Sequence, residues 1–186
     1  AKRLGSIVLA TDVRPAAKEQ VESLGGKFLA VEDEEFQEAE SSGGYAKQMS
    51  SAYMKKQAEL VYETIKNQDI VITTALIPGK LAPRLINSQM VKSMKTGSVI
   101  VDLAAISGGN CELTKKDEVI DIHGVKIIGF SNFPSRLASD ASRLYSRNIF
   151  SFLENLWDKE NSRININLED EIIKETLLTH NGKIKK

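Results

Sequence analysis

Apolar and polar positions alternate along this chain in blocks that have the lengths of strands and helices. Continuous apolar runs predict buried strands over Ser6–Thr11, Lys27–Val31, Asp69–Ala75, Ser98–Ala104 and Lys126–Phe130. Apolar residues at helical spacing predict helices over Ala16–Leu24, Ala46–Asn67, Ser88–Met94 and Ser139–Trp157. Strands that are apolar along their whole length and alternate with helices indicate a parallel sheet covered on both faces. The predicted fold is therefore α/β, with a doubly wound, Rossmann-like parallel sheet.

Three segments depart from this alternation. VIDIHGVKIIGF predicts a β-hairpin that turns at His123-Gly124. The acidic run Glu32–Glu40 predicts a solvated loop or helix face. From Asp158 the chain has short alternating runs, RININL and EIIKETLL, which predict a C-terminal hairpin or meander outside the main unit. We therefore divide the chain into residues 1–157 and a tail, residues 158–186.

Composition narrows the classes of function. The 186 residues include 25 basic and 25 acidic side chains, and this balance argues against nucleic acid as the main partner. No apolar run approaches the ~18 residues that indicate a membrane span. The single cysteine, Cys111, excludes a disulfide within the chain and has no basic neighbour in sequence, so we interpret it as a structural thiol. We expect a soluble, cytoplasmic protein.

Candidate binding residues follow the predicted strands, because ligands of a doubly wound sheet lie at the carboxyl ends of its strands. Asp12 stands where a carboxylate would accept the ribose hydroxyls of NAD and repel the 2′-phosphate of NADP. The alternative is that Asp12 is an ordinary polar end of a strand. Arg14 is placed to reach adenine or phosphate, and Ala75 and Leu76 are small and apolar enough to approach a nicotinamide. Glycines in SGGN repeat this arrangement one strand later.

Several catalytic motifs do not occur in the sequence. It contains no GxGxxG, no GxxxxGK[ST] and no GxSxG. His123 and His180 lie in predicted turns and are not at the spacing of metal ligands. We therefore predict no catalytic acid, base or nucleophile and no metal site.

One family accounts for the order and spacing of many short segments. The chain contains, in this order, TDVRP, GGYAKQMS, KKQAE, ITTALIPGK, MKTGSVIVDLA, GGNC, HGVKIIGF and PSRLASDAS. These segments resemble the NAD(H)-binding domain I of proton-translocating NAD(P) transhydrogenases, the alpha subunit in bacteria, and the resemblance covers the whole chain. Alanine dehydrogenases share the fold and a loop similar to TTALIPG, but GGYAKQMS resembles the mobile loop of the transhydrogenases.

The resemblance implies an NAD(H) site. Its residues are Asp12, Val13 and Arg14 in the adenosine-binding turn, Gly44 and Tyr45 in the mobile loop, Gln57 on the following helix and Leu76 near the nicotinamide. Two positions depart from the family. Leu81 stands where proline is usual, and Ile106 stands where a polar residue is common.

The resemblance also implies that this chain is the distal part of the domain. In the family, an N-terminal subdomain, the first strand and the glycine-rich loop precede the residue that matches Ala1, and the tail returns to pack on that subdomain. With the strand order 3-2-1-4-5-6, the first strand would lie between Ser6–Thr11 and Asp69–Thr74. Those two strands are therefore predicted to have unpaired backbone edges.

The function implied by the resemblance is hydride transfer between NADH and NADP⁺, coupled to proton translocation by other domains. The implied partners are the NADP(H)-binding and membrane-spanning domains or subunits, an upstream N-terminal polypeptide, and a second copy in a homodimer, all peripheral to the inner membrane. Hydride transfer needs positioned nicotinamides rather than a protein nucleophile, which agrees with the missing acid–base residues. We expect the chain alone to be inactive. The alternatives are an alanine-dehydrogenase-like oxidoreductase fragment and a non-catalytic remnant or assembly fragment.

Overall fold

The computed structural model describes residues 1–37 and 49–185, which form two units, residues 1–131 and 132–186. The helices are α1 (Pro15–Ser23), α2 (Glu34–Gln37), α3 (Ser51–Ile65), α4 (Ser88–Ser93), α5 (Ala138–Leu156) and α6 (Glu171–Thr176). The strands are β1 (Leu9–Ala10), β2 (Lys27–Phe28), β3 (Ile70–Thr73), β4 (Val99–Asp102), β5 (Val119–Ile122), β6 (Val125–Ile128), β7 (Trp157–Asp158), β8 (Arg163–Ile164), β9 (Thr179–His180) and β10 (Lys183–Ile184).

The first unit contains two sheets. Strands β1 and β2 pair in parallel, and α1 connects them, with Pro15 in its first turn where no backbone N–H is needed. The second sheet has the order β3-β4-β6-β5, in which β3, β4 and β6 are parallel. The sheets are therefore dominated by parallel pairing, as the apolar strands predict.

The hairpin formed by β5 and β6 is antiparallel and turns where the sequence predicts. His123 and Gly124 both have positive φ, at 54° and 76°, which is the backbone conformation of a two-residue hairpin turn of type I′. Glycine is also required at position 124 because an added Cβ would lie 2.6 Å from Cγ2 of Thr96.

Helix α3 carries one buried cluster at each end. Near its beginning, Tyr53 packs with Phe36 of α2 and with Met49. Near its end, Ile65 joins the core on one face of the second sheet. The other buried members of that core come from α4, the sheet and the loops beside them: Ile86, Met90, Val91, Met94, Ile100, Cys111, Val125 and Ile127. Because it contributes to both cores, α3 fixes the loops that follow β1 and β2 relative to the second sheet.

Strands β1 and β3 each have one unpaired edge. Within the described residues, β1 pairs only with β2, and β3 pairs only with β4. On the face of β3 opposite to the core, Ile70 and Ile72 are 65% and 61% exposed. The prediction of unpaired edges at these two strands is therefore confirmed, and β1 is shorter than predicted because it pairs along one side over only two residues.

The second unit contains α5, α6 and two antiparallel pairs, β7 with β8 and β9 with β10. The predicted hairpin character of the tail is confirmed, but the segment EIIKETLL was predicted to be part of it and instead forms α6. Asp170 caps this helix by accepting a hydrogen bond of 3.0 Å from the backbone N–H of Ile173. Burial of Ile173 then holds the helix in place. Among the described helices, none has both the length and the apolar character that a membrane span requires.

Candidate functional site

Polar residues lie at the carboxyl ends of the parallel strands. Asp12 follows β1, while Thr73 and Asp102 are the last residues of β3 and β4. Thr73 and Asp102 are direct neighbours in the register of these two strands. This edge of a doubly wound sheet is where ligands bind, and the widest crevice forms where the strand order reverses.

The carboxylate of Asp12 is held by Arg14. Nε and Nη2 of Arg14 donate to Oδ1 and Oδ2 of Asp12 at 3.0 and 2.8 Å, and the backbone N–H of Arg14 donates to Oδ1 at 2.9 Å. Burial alone would raise the pKa of Asp12, but the hydrogen bonds from Arg14 outweigh burial and lower the pKa. The side chain of Asp12 is still 30% exposed, so the ionised carboxylate remains accessible beside the guanidinium.

Gln57 connects the ends of β1 and β2. Its Nε2 donates to Oγ1 of Thr11 at 2.8 Å, and its Oε1 accepts the backbone N–H of Val31 at 3.0 Å. Thr11 is the residue directly before Asp12. The structure therefore places Gln57 next to the Asp12 turn, where its amide already bonds to protein groups on both sides.

The loop after β3 is exposed at Leu76 but anchored at Ala75. Leu76 is 51% exposed, and the side-chain amide of Asn110 bonds to the backbone of Ala75. Nearby in sequence, the hydroxyl of Thr73 is buried and has no hydrogen-bond partner among the described residues. An orphaned polar atom at the end of a strand is a candidate for a ligand contact.

Asp102 organises the loop after β4. Its buried carboxylate accepts the backbone N–H groups of Ala104 and Cys111, both at 3.0 Å, and the hydroxyl of Thr114 at 2.6 Å. Burial raises the pKa of Asp102, but these hydrogen bonds outweigh burial and lower the pKa below its usual 3.8. Gly109, with φ of 85°, fits against this carboxylate, because an added Cβ would lie 2.7 Å from Oδ2 of Asp102.

Cys111 is buried in the same loop, and burial raises the pKa of its thiol. A buried thiol with a raised pKa is a poor nucleophile, which agrees with the interpretation of Cys111 as structural.

The predicted site residues thus fall into two groups. Asp12, Val13, Arg14 and Gln57 lie around the ends of β1 and β2, and Leu76 lies after β3. Gly44 and Tyr45 lie outside the described residues. Leu81 and Ile106, the two positions that depart from the family, are 79% and 60% exposed.

Sequence reasoning missed four residues that shape these loops: Thr11, Arg84, Asp102 and Asn110. One signal was present, since an aspartate that closes the apolar strand VIVD must find hydrogen-bond donors when it is buried. An asparagine after two glycines was a second, weaker signal. The partner of Arg84 could not be predicted, because its three acceptors are backbone carbonyls about 25 residues away along the chain.

Comparisons with known proteins agree with this geometry. The family model described as "Alanine dehydrogenase/PNT, C-terminal domain" matches residues 1–186. The chain is 54% identical over 184 residues to the first part of NAD(P) transhydrogenase subunit alpha from Rhodospirillum rubrum, covering 99% of this chain and 48% of the relative. It also matches the crystal structure of the transhydrogenase from Sinorhizobium meliloti, with a TM-score of 0.74 and 49% identity, covering 99% of this chain and 47% of that one.

Similarity to alanine dehydrogenases is weaker and shorter. "Alanine dehydrogenase 1" of Staphylococcus aureus is 34% identical over 110 residues, covering 57% of this chain and 30% of the relative. The chain spans about half the length, or less, of the curated relatives it matches.

Proposed function

Because the chain belongs to the alanine dehydrogenase/PNT C-terminal domain family, we propose that it is the NAD(H)-binding part of a proton-translocating transhydrogenase. The observation that carries this proposal is the likeness to transhydrogenase alpha subunits along nearly the whole chain. The likeness to alanine dehydrogenase covers a shorter part, so an alanine-oxidising function is the weaker candidate.

The residues at the carboxyl ends of the strands fit NAD(H). Asp12 offers an ionised, partly exposed carboxylate, which is the group that accepts two ribose hydroxyls. The buried hydroxyl of Thr73 lacks a protein partner among the described residues and can bond to a ligand. The exposed side chain of Leu76 supplies apolar surface beside a flat ring.

In the proposed reaction, this chain binds and orients the cofactor and does not exchange protons with it. Bound NAD(H) supplies or receives the hydride, which passes to or from NADP(H) on a separate domain. Arg14 holds the carboxylate of Asp12 toward the ribose, Gln57 fixes the turn through Thr11, and Leu76 lies near the nicotinamide. Such positioning supplies much of the rate of a reaction that joins two bound reactants.

Gly44 and Tyr45 are proposed to fold over the bound nucleotide as a lid. A tyrosine that follows two glycines in a polar segment can close on a ligand and exclude water from it. Closure would protect the nicotinamide during hydride transfer.

The unpaired edges of β1 and β3 support a partner for this chain. We propose that an N-terminal polypeptide inserts a strand between them and brings the glycine-rich turn that binds pyrophosphate. Residues 1–157 would then form one nucleotide domain with that polypeptide, and residues 158–186 would pack on its companion subdomain. The further proposed partners are the NADP(H)-binding and membrane-spanning components and a second copy of this domain, with the assembly at the cytoplasmic side of the inner membrane.

The proposal is tested by measuring hydride transfer in the assembled protein. We expect transfer from NADH to an NADP⁺ analogue whose reduced form absorbs at a distinct wavelength, and no NADH formation from alanine and NAD⁺. Formation of NADH that depends on alanine, without transfer to the analogue, would favour an alanine dehydrogenase. Failure to bind NADH and to catalyse either reaction would indicate a non-catalytic protein.

A further inference from the structure

Asn110 is a fully buried polar residue in the loop after β4, and its side chain reaches across to the loop after β3. Its Oδ1 accepts the backbone N–H of Ala75 at 3.0 Å, and its Nδ2 donates to the backbone carbonyl of Ala75 at 2.9 Å. Nδ2 also donates to the carbonyl of Pro83 at 2.8 Å. The amide therefore has a partner for both of its donors and for its acceptor.

The pair of bonds to Ala75 resembles the pairing of two peptide groups in a sheet. β3 ends at Thr73, so Ala75 lies beyond the backbone ladder that β4 supplies. A primary amide is the side-chain group that can donate and accept at the same backbone residue in this way. Aspartate would lack both donors, and serine is too short to maintain both contacts.

The position of Asn110 is itself fixed from two sides. Nη1 of Arg84 donates to the carbonyls of Gly108, Gly109 and Cys111 at 2.8, 3.0 and 2.9 Å. The backbone carbonyl of Asn110 accepts the N–H groups of Leu85 and Ile86 at 2.8 and 3.1 Å. Since the carbonyls on both sides of Asn110 and its own carbonyl are all held, its side chain can act as a fixed reference for Ala75.

We propose that Asn110 is a positioning residue that sets the place of Ala75 and Leu76 for the nicotinamide end of bound NAD(H). This inference rests on the proposed function, because it requires a nicotinamide beside Leu76. Leu76 is half exposed and directly follows the anchored residue, so a shift of Ala75 moves the surface that the ring contacts. The ribose end of the cofactor would be held elsewhere, by Asp12 after β1.

A positioning role and a purely structural role differ in which part of the ligand they affect. Loss of the Asn110 bonds would loosen the loop after β3 and leave the Asp12 turn, which is held by Arg14 and Gln57, unchanged. NADH should then bind more weakly, while ADP-ribose, which lacks the nicotinamide, should bind as before. General destabilisation would weaken both ligands together.

The experiment is calorimetric titration of the assembled protein with NADH and with ADP-ribose, in the wild type and in Asn110→Ser. We expect the Kd for NADH to rise about tenfold, the effect of losing one or two net hydrogen bonds, and the Kd for ADP-ribose to stay within about twofold. Asn87→Ser is the matched control. Asn87 caps α4 through a single acceptor, and serine caps equally well, so both affinities should be unchanged.

Arg84→Gln provides a second route if Asn110→Ser does not fold. Arg84 is exposed, and its loss should loosen the loop that carries Asn110, with a rise of about threefold in the Kd for NADH alone. Equal weakening of both ligands, or no weakening of either, would overturn the positioning role while leaving the proposed function intact. A wild-type protein that binds ADP-ribose and NADH with no measurable affinity would overturn both.

Discussion

Replacing Asp102 with alanine is expected to lower the free energy of unfolding by about 3–5 kcal/mol. The substitution leaves the N–H groups of Ala104 and Cys111 and the hydroxyl of Thr114 without their acceptor in a buried loop. Each buried donor that loses its partner costs about 1–3 kcal/mol. Urea unfolding measures the total, and amide hydrogen exchange at Ala104 and Cys111 should accelerate because Asp102 protects these two groups.

The contribution of Asp102 should also depend on pH. Its pKa is lowered in the folded protein below the usual 3.8, so the ionised form is favoured by folding. The resulting stability is present above that usual value and is lost as the pH falls through the lower, folded pKa. The stability difference between wild type and Asp102→Ala should therefore narrow when the pH is taken below about 4.

Asp121→Ala is the control for this prediction. Asp121 is an exposed aspartate that accepts one backbone N–H, from Gly124, in the hairpin turn. Its loss should change the free energy of unfolding by no more than about 0.5–1 kcal/mol. If Asp102→Ala were equally mild, the loop after β4 would not depend on the buried carboxylate.

Replacing Asp12 with alanine is expected to weaken NADH binding in the assembled protein by about 1–3 kcal/mol, the scale of charge-assisted hydrogen bonds to the ribose. The same change should strengthen NADPH binding. Nε and Nη2 of Arg14 are engaged with Asp12, and the substitution releases both donors toward a 2′-phosphate while removing the negative charge that repels it. Parallel titrations with NADH and NADPH measure both effects.

The matched control removes an aspartate–arginine pair elsewhere. Asp140 and Arg143 form an exposed pair of 3.0 Å on α5, and Asp140→Ala should leave both cofactor affinities unchanged. Unchanged NADH affinity in Asp12→Ala would show that Asp12 is only a polar strand end. Weaker binding of both cofactors would show that Asp12 shapes the turn without selecting between them.

The sequence predicted the elements whose signals are local. The turn at His123-Gly124 and the apolar strand VIVD were found because turn residues and uninterrupted apolar runs act over a few positions. The helix α6 was missed because EIIKETLL has no clear period, and its stability depends on the Asp170 cap and on the burial of Ile173. The length of β1 was overestimated because strand length depends on a neighbour in space.

The candidate site was predictable in the same uneven way. The family resemblance identified Asp12 and Arg14, but the ion pair between them is visible only in three dimensions. The roles of Asp102 and Asn110 depend on partners from other loops, such as Thr114 and Ala75. A single sequence does not specify such pairs, because buried polar groups find donors and acceptors according to the fold and not according to sequence distance.

Above all, we propose that the ends of β1 and β3 form half of an NAD(H) site that another polypeptide completes. Calorimetric titration of NADH into the 186-residue chain, alone and combined with an N-terminal polypeptide that supplies a strand and a glycine-rich turn, tests this most directly. We predict little or no binding by the chain alone, because the pyrophosphate would lack its backbone and helix contacts, and clear binding by the combination. Equally tight NADH binding by the isolated chain would contradict the proposal and would show that these residues form a complete site by themselves.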